Sequence, residues 1–214
     1  MTPLVTNPPP PATITRNYRI WRNWGLGATE AQNTMNQVER LFRDNFAINL
    51  VRVGNDARDN LAPRPGCNRN AETQFCAYSS IARYNCGLNN RCHDLHHRSG
   101  TFMLSRWPGS STTMSFKFVN YMTCFWEAPR HDRVHGLASV SPTTFTGHHM
   151  LVSTQSPNAL RTAVHEVSHV FGAHGHEEYC TPGQPCVMRN NALIPVHNQW
   201  CAHHRNQILA RRHL

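Results

Sequence analysis

Apolar and polar positions along the first part of the chain change between the two-residue period of a strand and the period of a helix. Alternation over residues 13–24 predicts a first strand, and apolar residues at helical spacing predict a helix over residues 30–45, with Thr29 as its N-cap. A second strand is predicted over residues 47–53. A strand, a long helix and a strand in succession indicate a right-handed crossover between two parallel strands.

The later part of the chain shows three more β-type stretches before its last helices. Residues 115–125 alternate and are rich in β-forming side chains, residues 136–140 predict a short edge strand, and residues 148–153 predict another strand. A helix follows from about residue 158, and a final helix is predicted over residues 200–212. This order predicts an α/β fold with a twisted, mixed sheet of four or five strands.

The helix that begins near residue 158 carries the densest chemistry in the chain. His165, Glu166 and His169 form the pattern H-E-x-x-H, and histidines four residues apart lie on one helix face, where both can reach one metal ion. Glu166 can sit beside a metal-bound water without binding the metal itself. Gly172 follows as a helix-ending glycine. The pattern predicts a zinc hydrolase.

H-E-x-x-H-x-x-G followed by a histidine and a later methionine resembles the metzincin family of zinc endopeptidases. The methionine of the family's Met-turn corresponds to Met188. The usual family spacing places the third ligand at residue 175, which is a glycine here, with His174 and His176 on either side. Because an inserted loop residue is easier to accommodate than a missing one, we expect His176 to be the third ligand, with His174 as the alternative.

The resemblance implies a mechanism and a substrate class. Zinc is expected on His165, His169 and His176, with water in the fourth position, and Glu166 is expected to act as the general base and acid in peptide hydrolysis. Met188 would form a hydrophobic floor under the histidines. Metzincins hold a peptide or protein substrate along an edge strand, here residues 136–140, and add a backing helix, an active-site helix and a small, irregular C-terminal subdomain that ends in a helix.

The chain has eight cysteines, an even number that suggests disulfides in a secreted protein. The C-terminal pattern of cysteines resembles two groups of metzincins. In the archaemetzincins, cysteines in this region bind a second, structural zinc, and in the reprolysin-like metzincins they form disulfides. The residues concerned here are Cys180, Cys186, Cys201 and His204. A Cys₃His zinc site would use three of the eight cysteines and leave five, an odd number. We therefore expect disulfides, and the second Zn²⁺ remains the alternative.

Composition narrows the partners and the organisation of the chain. The net charge is +9, but Lys117 is the only lysine and the arginines are scattered, which favours a basic surface over a specific nucleic-acid site. No stretch is long and apolar enough for a membrane span. We expect a monomer with a proline-rich lead over residues 1–15 and one catalytic domain over residues 16–214, divided into an upper subdomain (16–172) and a lower one (173–214).

The compartment and a second functional class stay open at this point. The disulfide interpretation predicts a secreted protein, although the N-terminus has no signal-peptide pattern, and a second zinc would instead predict a cytoplasmic one. His93, His96 and His97 are interpreted as solvated loop histidines. The alternative to a peptidase is a basic, cysteine-rich binding module with a structural zinc. A closed structural site would not require a glutamate next to its first ligand.

Overall fold

The computed structural model of the protein describes residues 12–23, 26–59, 109–119, 136–141, 146–154, 156, 158–189 and 198–213. Several sequence predictions lie outside these residues. They concern residues 1–11 of the proline-rich lead, the second half of the predicted strand 115–125, three loop histidines and five of the cysteines (His93, His96, His97, Cys67, Cys76, Cys86, Cys92 and Cys124).

The first strand, helix and strand form the predicted parallel crossover. β1 spans Ile14–Asn23, α1 spans Ala28–Phe46 and β2 spans Ile48–Arg52, and β1 pairs with β2 in parallel. Ala47, at φ 53°, makes the turn from α1 into β2. A short strand that the sequence analysis did not predict, β3 at Ala57–Asp59, also pairs with β1 in parallel.

The start of α1 differs from the prediction. The N-cap residue is Gly27, with extended backbone and no side-chain cap, so the prediction of Thr29 as N-cap is wrong. Thr29 already lies inside the first helical turn. Glycine is an acceptable N-cap residue, and Glu30 in the first turn interacts favourably with the positive end of the helix dipole.

The remaining elements complete one mixed sheet with helices packed against it. They are β4 (Thr113–Val119), β5 (Gly136–Val140), β6 (Gly147–Ser153), α2 (Ala159–Val170), a 3₁₀ turn (Glu177–Tyr179) and α3 (Ala202–Arg211). The strand order is β2-β1-β4-β6-β5, in which the first four strands are parallel and β5 is antiparallel to β6. The predicted α/β class and the parallel β1–β2 pair are confirmed. The sheet has six strands rather than the predicted four or five, because β3 adds a short strand beside β1.

Alternate strand residues form the core with the helices. Tyr18, Phe116, Phe118, Met150 and Val152 are fully or almost fully buried and belong to one hydrophobic cluster. The same cluster takes in one face of α1 and of α2, represented by Met35, Val38, Phe42, Val164 and Val167. α1 and α2 also pack against each other. The site-bearing helix is thus fixed on one side by the sheet and on another by α1.

Both ends of α2, the helix that carries His165 and His169, are defined by local backbone and capping contacts. Asn158 caps the start, where its side-chain oxygen accepts a hydrogen bond from the backbone N–H of Arg161 at 3.0 Å. The helix ends at Val170, and Gly172 follows with φ +93°, in the left-handed region that favours glycine.

In the described part of the chain, the helices are too short or too polar to cross a membrane.

Candidate metal centres

Three histidines converge on one point beside α2. His165 and His169 project from the same face of the helix, and their Nε2 atoms lie 3.1 Å apart. His176, from the loop after the helix, completes the group, with ring centroids 5.2 Å from His165 and 5.3 Å from His169. One ring nitrogen from each residue lies within 4.8 Å of those of the other two. We call these residues the histidine triad.

Backbone carbonyl groups orient two of the three rings. The Nδ1 atom of His165 donates to the Val187 carbonyl at 2.9 Å, and that of His169 donates to the Ala173 carbonyl at 2.6 Å. Each hydrogen bond places the proton on Nδ1 and leaves the Nε2 lone pair facing the shared point, as in histidine ligands of metals. Burial lowers the pKa of His165 well below its ordinary value, so its imidazole is neutral.

The geometry and chemistry of the triad fit zinc. Zinc–nitrogen bonds of 2.0–2.1 Å in a tetrahedron separate two nitrogen ligands by roughly 3.3 Å, close to the 3.1 Å observed between His165 and His169. The candidate group contains three ligands and no fourth among the residues that the structure describes. Three protein ligands with one open position are typical of a catalytic zinc site.

The loop between Gly172 and His176 places its two histidines apart. His174 is not in the triad; its ring contacts Gln207 and Arg211 of α3, at 2.9 Å and 3.2 Å from Nδ1. Gly175 has φ +74° and leaves space for the Tyr179 ring, which a Cβ at this position would overlap. The chain therefore turns at both glycines, and His176 is the residue brought to His165 and His169.

Glu166 is buried next to the triad and against the edge strand. A Cβ built on Gly136 of β5 would lie 2.5 Å from its Oε1 atom and 2.7 Å from Cγ2 of Thr162. The Glu166 residue is 6% exposed, and burial raises its carboxyl pKa to about 8. A carboxyl group in this range can both accept and donate a proton near neutral pH.

Met188 lies in a tight turn that also contributes to the triad. The Arg189 N–H donates to the Cys186 carbonyl at 3.2 Å, which closes the turn, and Met188 is completely buried. The adjacent Val187 supplies the carbonyl that orients His165. The turn predicted from the sequence thus contacts the site through the backbone of the residue before the methionine.

A second group of potential ligands lies beside the first. Cys180, Cys186, Cys201 and His204 each place one ligand atom within 4.8 Å of the others. The Nδ1 atom of His204 is 3.7 Å, 3.5 Å and 3.0 Å from the sulfur atoms of Cys180, Cys186 and Cys201. We call this group the Cys₃His cluster.

The cluster corrects the disulfide prediction for these cysteines. All three are free, and the sulfur atoms of Cys180 and Cys201 are 3.5 Å apart, well beyond the roughly 2.05 Å of a disulfide bond. In a tetrahedral zinc site with bonds of about 2.3 Å, two sulfur ligands are separated by roughly 3.8 Å. The four groups are therefore arranged as ligands around a common point, which disulfide pairing would destroy.

The environment of the Cys₃His cluster also suits a metal. Burial lowers the pKa of His204 to about 4, which keeps its imidazole neutral, and burial raises the pKa of Cys180 and Cys186. A bound cation would displace the thiol protons and stabilise the thiolates. The backbone N–H of Cys201 already donates to the Cys186 sulfur at 3.3 Å. This donor set fits a closed structural zinc site.

The comparison with solved structures places this architecture among known folds. The fold of the chain is similar to that of an archaemetzincin. The crystal structure of archaemetzincin from Methanopyrus kandleri matches with a TM-score of 0.54 and 13% sequence identity, covering 94% of this chain and 97% of that one. The predicted α/β class thus agrees with the fold of this similar structure.

A zinc-dependent peptidase from Methanocorpusculum labreanum matches with a TM-score of 0.46 and 14% identity, covering 90% of this chain and 99% of that one. No protein-family model matches the sequence, and no curated protein does.

Sequence analysis missed the groups that position the ligands. The carbonyl groups of Val187 and Ala173 orient two histidines, but backbone groups leave no mark in the residue pattern. At Gly136 the sequence pattern predicts only the start of an edge strand. The contact of Trp200 with α2 was also missed: its indole N–H donates to the Ser168 hydroxyl at 2.9 Å. The His169 contact depends on the turn that follows α2, and the others depend on how segments distant in the chain pack.

Proposed function

We propose that the protein is a zinc-dependent endopeptidase. The observation that carries this proposal is the convergence of His165, His169 and His176 on one point, with a buried carboxyl group, Glu166, on the same helix. Zinc bound there would polarise a carbonyl group and supply a water of lowered pKa. The likeness to a solved archaemetzincin concerns the fold and agrees with this choice.

Glu166 acts as the general base and then as the general acid. It accepts a proton from the water that attacks the peptide carbonyl and delivers that proton to the leaving amine. Its burial against Gly136 keeps bulk water away from the carboxyl group and holds it in one orientation. Met188, completely buried next to Val187, takes the role of the Met-turn residue: it supports the turn whose Val187 carbonyl orients His165 and does not bind metal itself.

The edge strand supports a peptide as the substrate. In the described part of the sheet, β5 pairs only with β6, which leaves its other edge for an extended chain. Pairing with a sheet edge is a general way to hold an extended peptide. The same strand begins at Gly136, against Glu166, so a peptide aligned along β5 lies next to the proposed catalytic carboxyl group.

A second, structural zinc on Cys180, Cys186, Cys201 and His204 is part of the proposal. The free thiols and their separations support zinc over disulfides at this position. With this site in place, the cytoplasmic alternative is favoured over secretion, because reduced cysteines are typical of a reducing compartment. A structural zinc alone would explain this cluster, but it would leave the open triad beside Glu166 without a role.

Glu166→Ala tests the proposal. The variant should retain two zinc ions per chain by elemental analysis and lose nearly all cleavage of a peptide library. His169→Ala should lose one zinc as well as activity, and Glu30→Ala, at an exposed glutamate on α1, should behave like the wild type. Cleavage of peptides blocked at both ends distinguishes an endopeptidase from an exopeptidase. Full activity in Glu166→Ala would refute the mechanism.

A further inference from the structure

The C-terminal helix α3 contacts the loop that joins the first two histidines of the triad to the third. The Gln207 side-chain oxygen accepts from the backbone N–H of His174 at 3.1 Å, and its nitrogen approaches His174 Nδ1 to 2.9 Å. Arg211 donates to the Gly172 carbonyl at 2.7 Å. A Cβ on Gly172 would lie 2.5 Å from Cδ of Arg211, so the arginine stem packs directly on the loop.

One peptide group connects this contact to a proposed metal ligand. The N–H of the peptide between Ala173 and His174 donates to Gln207, and the carbonyl of the same peptide accepts from His169 Nδ1 at 2.6 Å. A planar peptide transmits a rotation at one end to the other. Gln207 therefore sets the direction of the carbonyl that orients His169, and the same loop continues through Gly175 to His176.

The beginning of α3 belongs to the other metal centre. Cys201 is the N-cap residue of the helix, and His204 lies in its first turn. Both are members of the Cys₃His cluster. Gln207 follows His204 on the next turn, so a metal that fixes the first turn of α3 also fixes the residues that hold the loop.

We infer that Gln207 and Arg211 are positioning residues for the histidine triad, and that through them metal in the Cys₃His cluster strengthens metal binding at the triad. This inference rests on the proposed function only in taking the triad as a metal site. Groups that orient metal ligands typically change metal affinity by about 10- to 100-fold when removed. Coupling of this kind is reciprocal, so metal at the triad strengthens binding at the cluster by the same factor.

The first test measures zinc affinity at the triad by competition with a chromophoric chelator, using the full chain. Gln207→Ala should weaken this affinity about tenfold, and Arg211→Ala should weaken it similarly, with partial recovery in Arg211→Lys. Asn206→Ala is the matched control, because Asn206 is exposed on the same helix. Cobalt absorption from thiolate ligands reports separately that the Cys₃His cluster still binds metal.

Equal triad affinities in the wild type, Gln207→Ala and Asn206→Ala would overturn the inference and leave the proposed peptidase intact. The peptidase proposal fails independently, if the triad binds zinc but the protein cleaves no peptide. If the wild-type triad binds no zinc, both fail together.

The second test asks whether the effect passes through Gln207 and Arg211. Cys201→Ser weakens the Cys₃His cluster and should lower the triad affinity about tenfold when both side chains are present. In the background that carries Gln207→Ala and Arg211→Ala, Cys201→Ser should have little further effect, because both contacts that transmit it are already lost. Thermal unfolding checks that each variant is folded. Independent, multiplicative effects of Cys201→Ser and of this double substitution would overturn the inference.

Discussion

Gly136 on the edge strand β5 and Glu166 on α2 are in direct contact: a Cβ at position 136 would lie 2.5 Å from Oε1 and 2.6 Å from Cγ of the glutamate. Only glycine leaves room for the carboxyl group at this point. The strand proposed to align the substrate and the residue proposed to transfer the proton are therefore positioned against each other.

Gly136→Ala should displace the Glu166 side chain while the zinc ligands stay in place. A misplacement of about 1 Å at a reacting group can lower the rate about 100-fold, and we expect a loss of that order in kcat/KM. Zinc content should be unchanged. Gly27→Ala is the control, since a Cβ there meets nothing within 4 Å. Wild-type activity in Gly136→Ala would show that the contact does not set the position of the carboxyl group.

Met188 should contribute to stability mainly through its volume. Its side chain is completely buried, so Met188→Ala should lower the free energy of unfolding by about 2–5 kcal/mol, and Met188→Leu, of similar volume, by less than about 1.5 kcal/mol. Urea unfolding of the zinc-loaded proteins measures both values. Equal stability of the alanine and leucine variants would mean that the turn does not depend on packing of this side chain.

Trp200 and Ser168 should show coupled contributions to stability. The indole N–H donates to the Ser168 hydroxyl, which in turn donates to the Val164 carbonyl at 2.7 Å, and the indole ring packs edge-on against Phe46. Trp200→Phe keeps an aromatic ring but loses the hydrogen bond, at a cost of about 1 kcal/mol. A double-mutant cycle with Ser168→Ala should give a coupling energy of at least about 0.5 kcal/mol. Strict additivity would argue against this hydrogen bond.

Removal of metal should destabilise the folded protein. Zinc that binds only the folded state adds about 2.7 kcal/mol when its free concentration is 100 times the dissociation constant. A chelator should therefore lower Tm and abolish peptide cleavage, and added zinc should restore both. In His169→Ala, added zinc should still raise Tm through the Cys₃His cluster. In Cys186→Ser, added zinc should still raise Tm through the triad. A chelator without effect on Tm would contradict metal binding at either centre.

The local patterns in the chain were sufficient to predict most of the elements. Alternation predicted β1 to within one residue at each end, β5 and β6 were predicted as short strands to within one residue, and helical spacing predicted α1 and α2. H-E-x-x-H put two histidines on one face because helix periodicity alone decides which residues share a face. β3 was missed, since three residues are too few to show a period.

Local patterns could not decide which histidine joins the triad or whether the C-terminal cysteines are free. The residue pattern left His174 and His176 open, and turns at Gly172 and Gly175 bring His176 to the triad and send His174 towards α3. The odd number of remaining cysteines favoured disulfides, but Cys180, Cys186, Cys201 and His204 gather as free groups. Counting residues gives no information about which of them meet in space.

The sequence by itself determined the α/β class, the helix that carries His165, Glu166 and His169, and the kind of metal that these residues suit. These properties depend on short-range periodicity and on side-chain chemistry. Only the tertiary structure decided that His176 joins the pair, that Gly136 packs on Glu166 and that α3 holds the loop between the ligands. Those relationships depend on the packing of segments far apart in the chain and on backbone hydrogen bonds, which residue type does not encode locally.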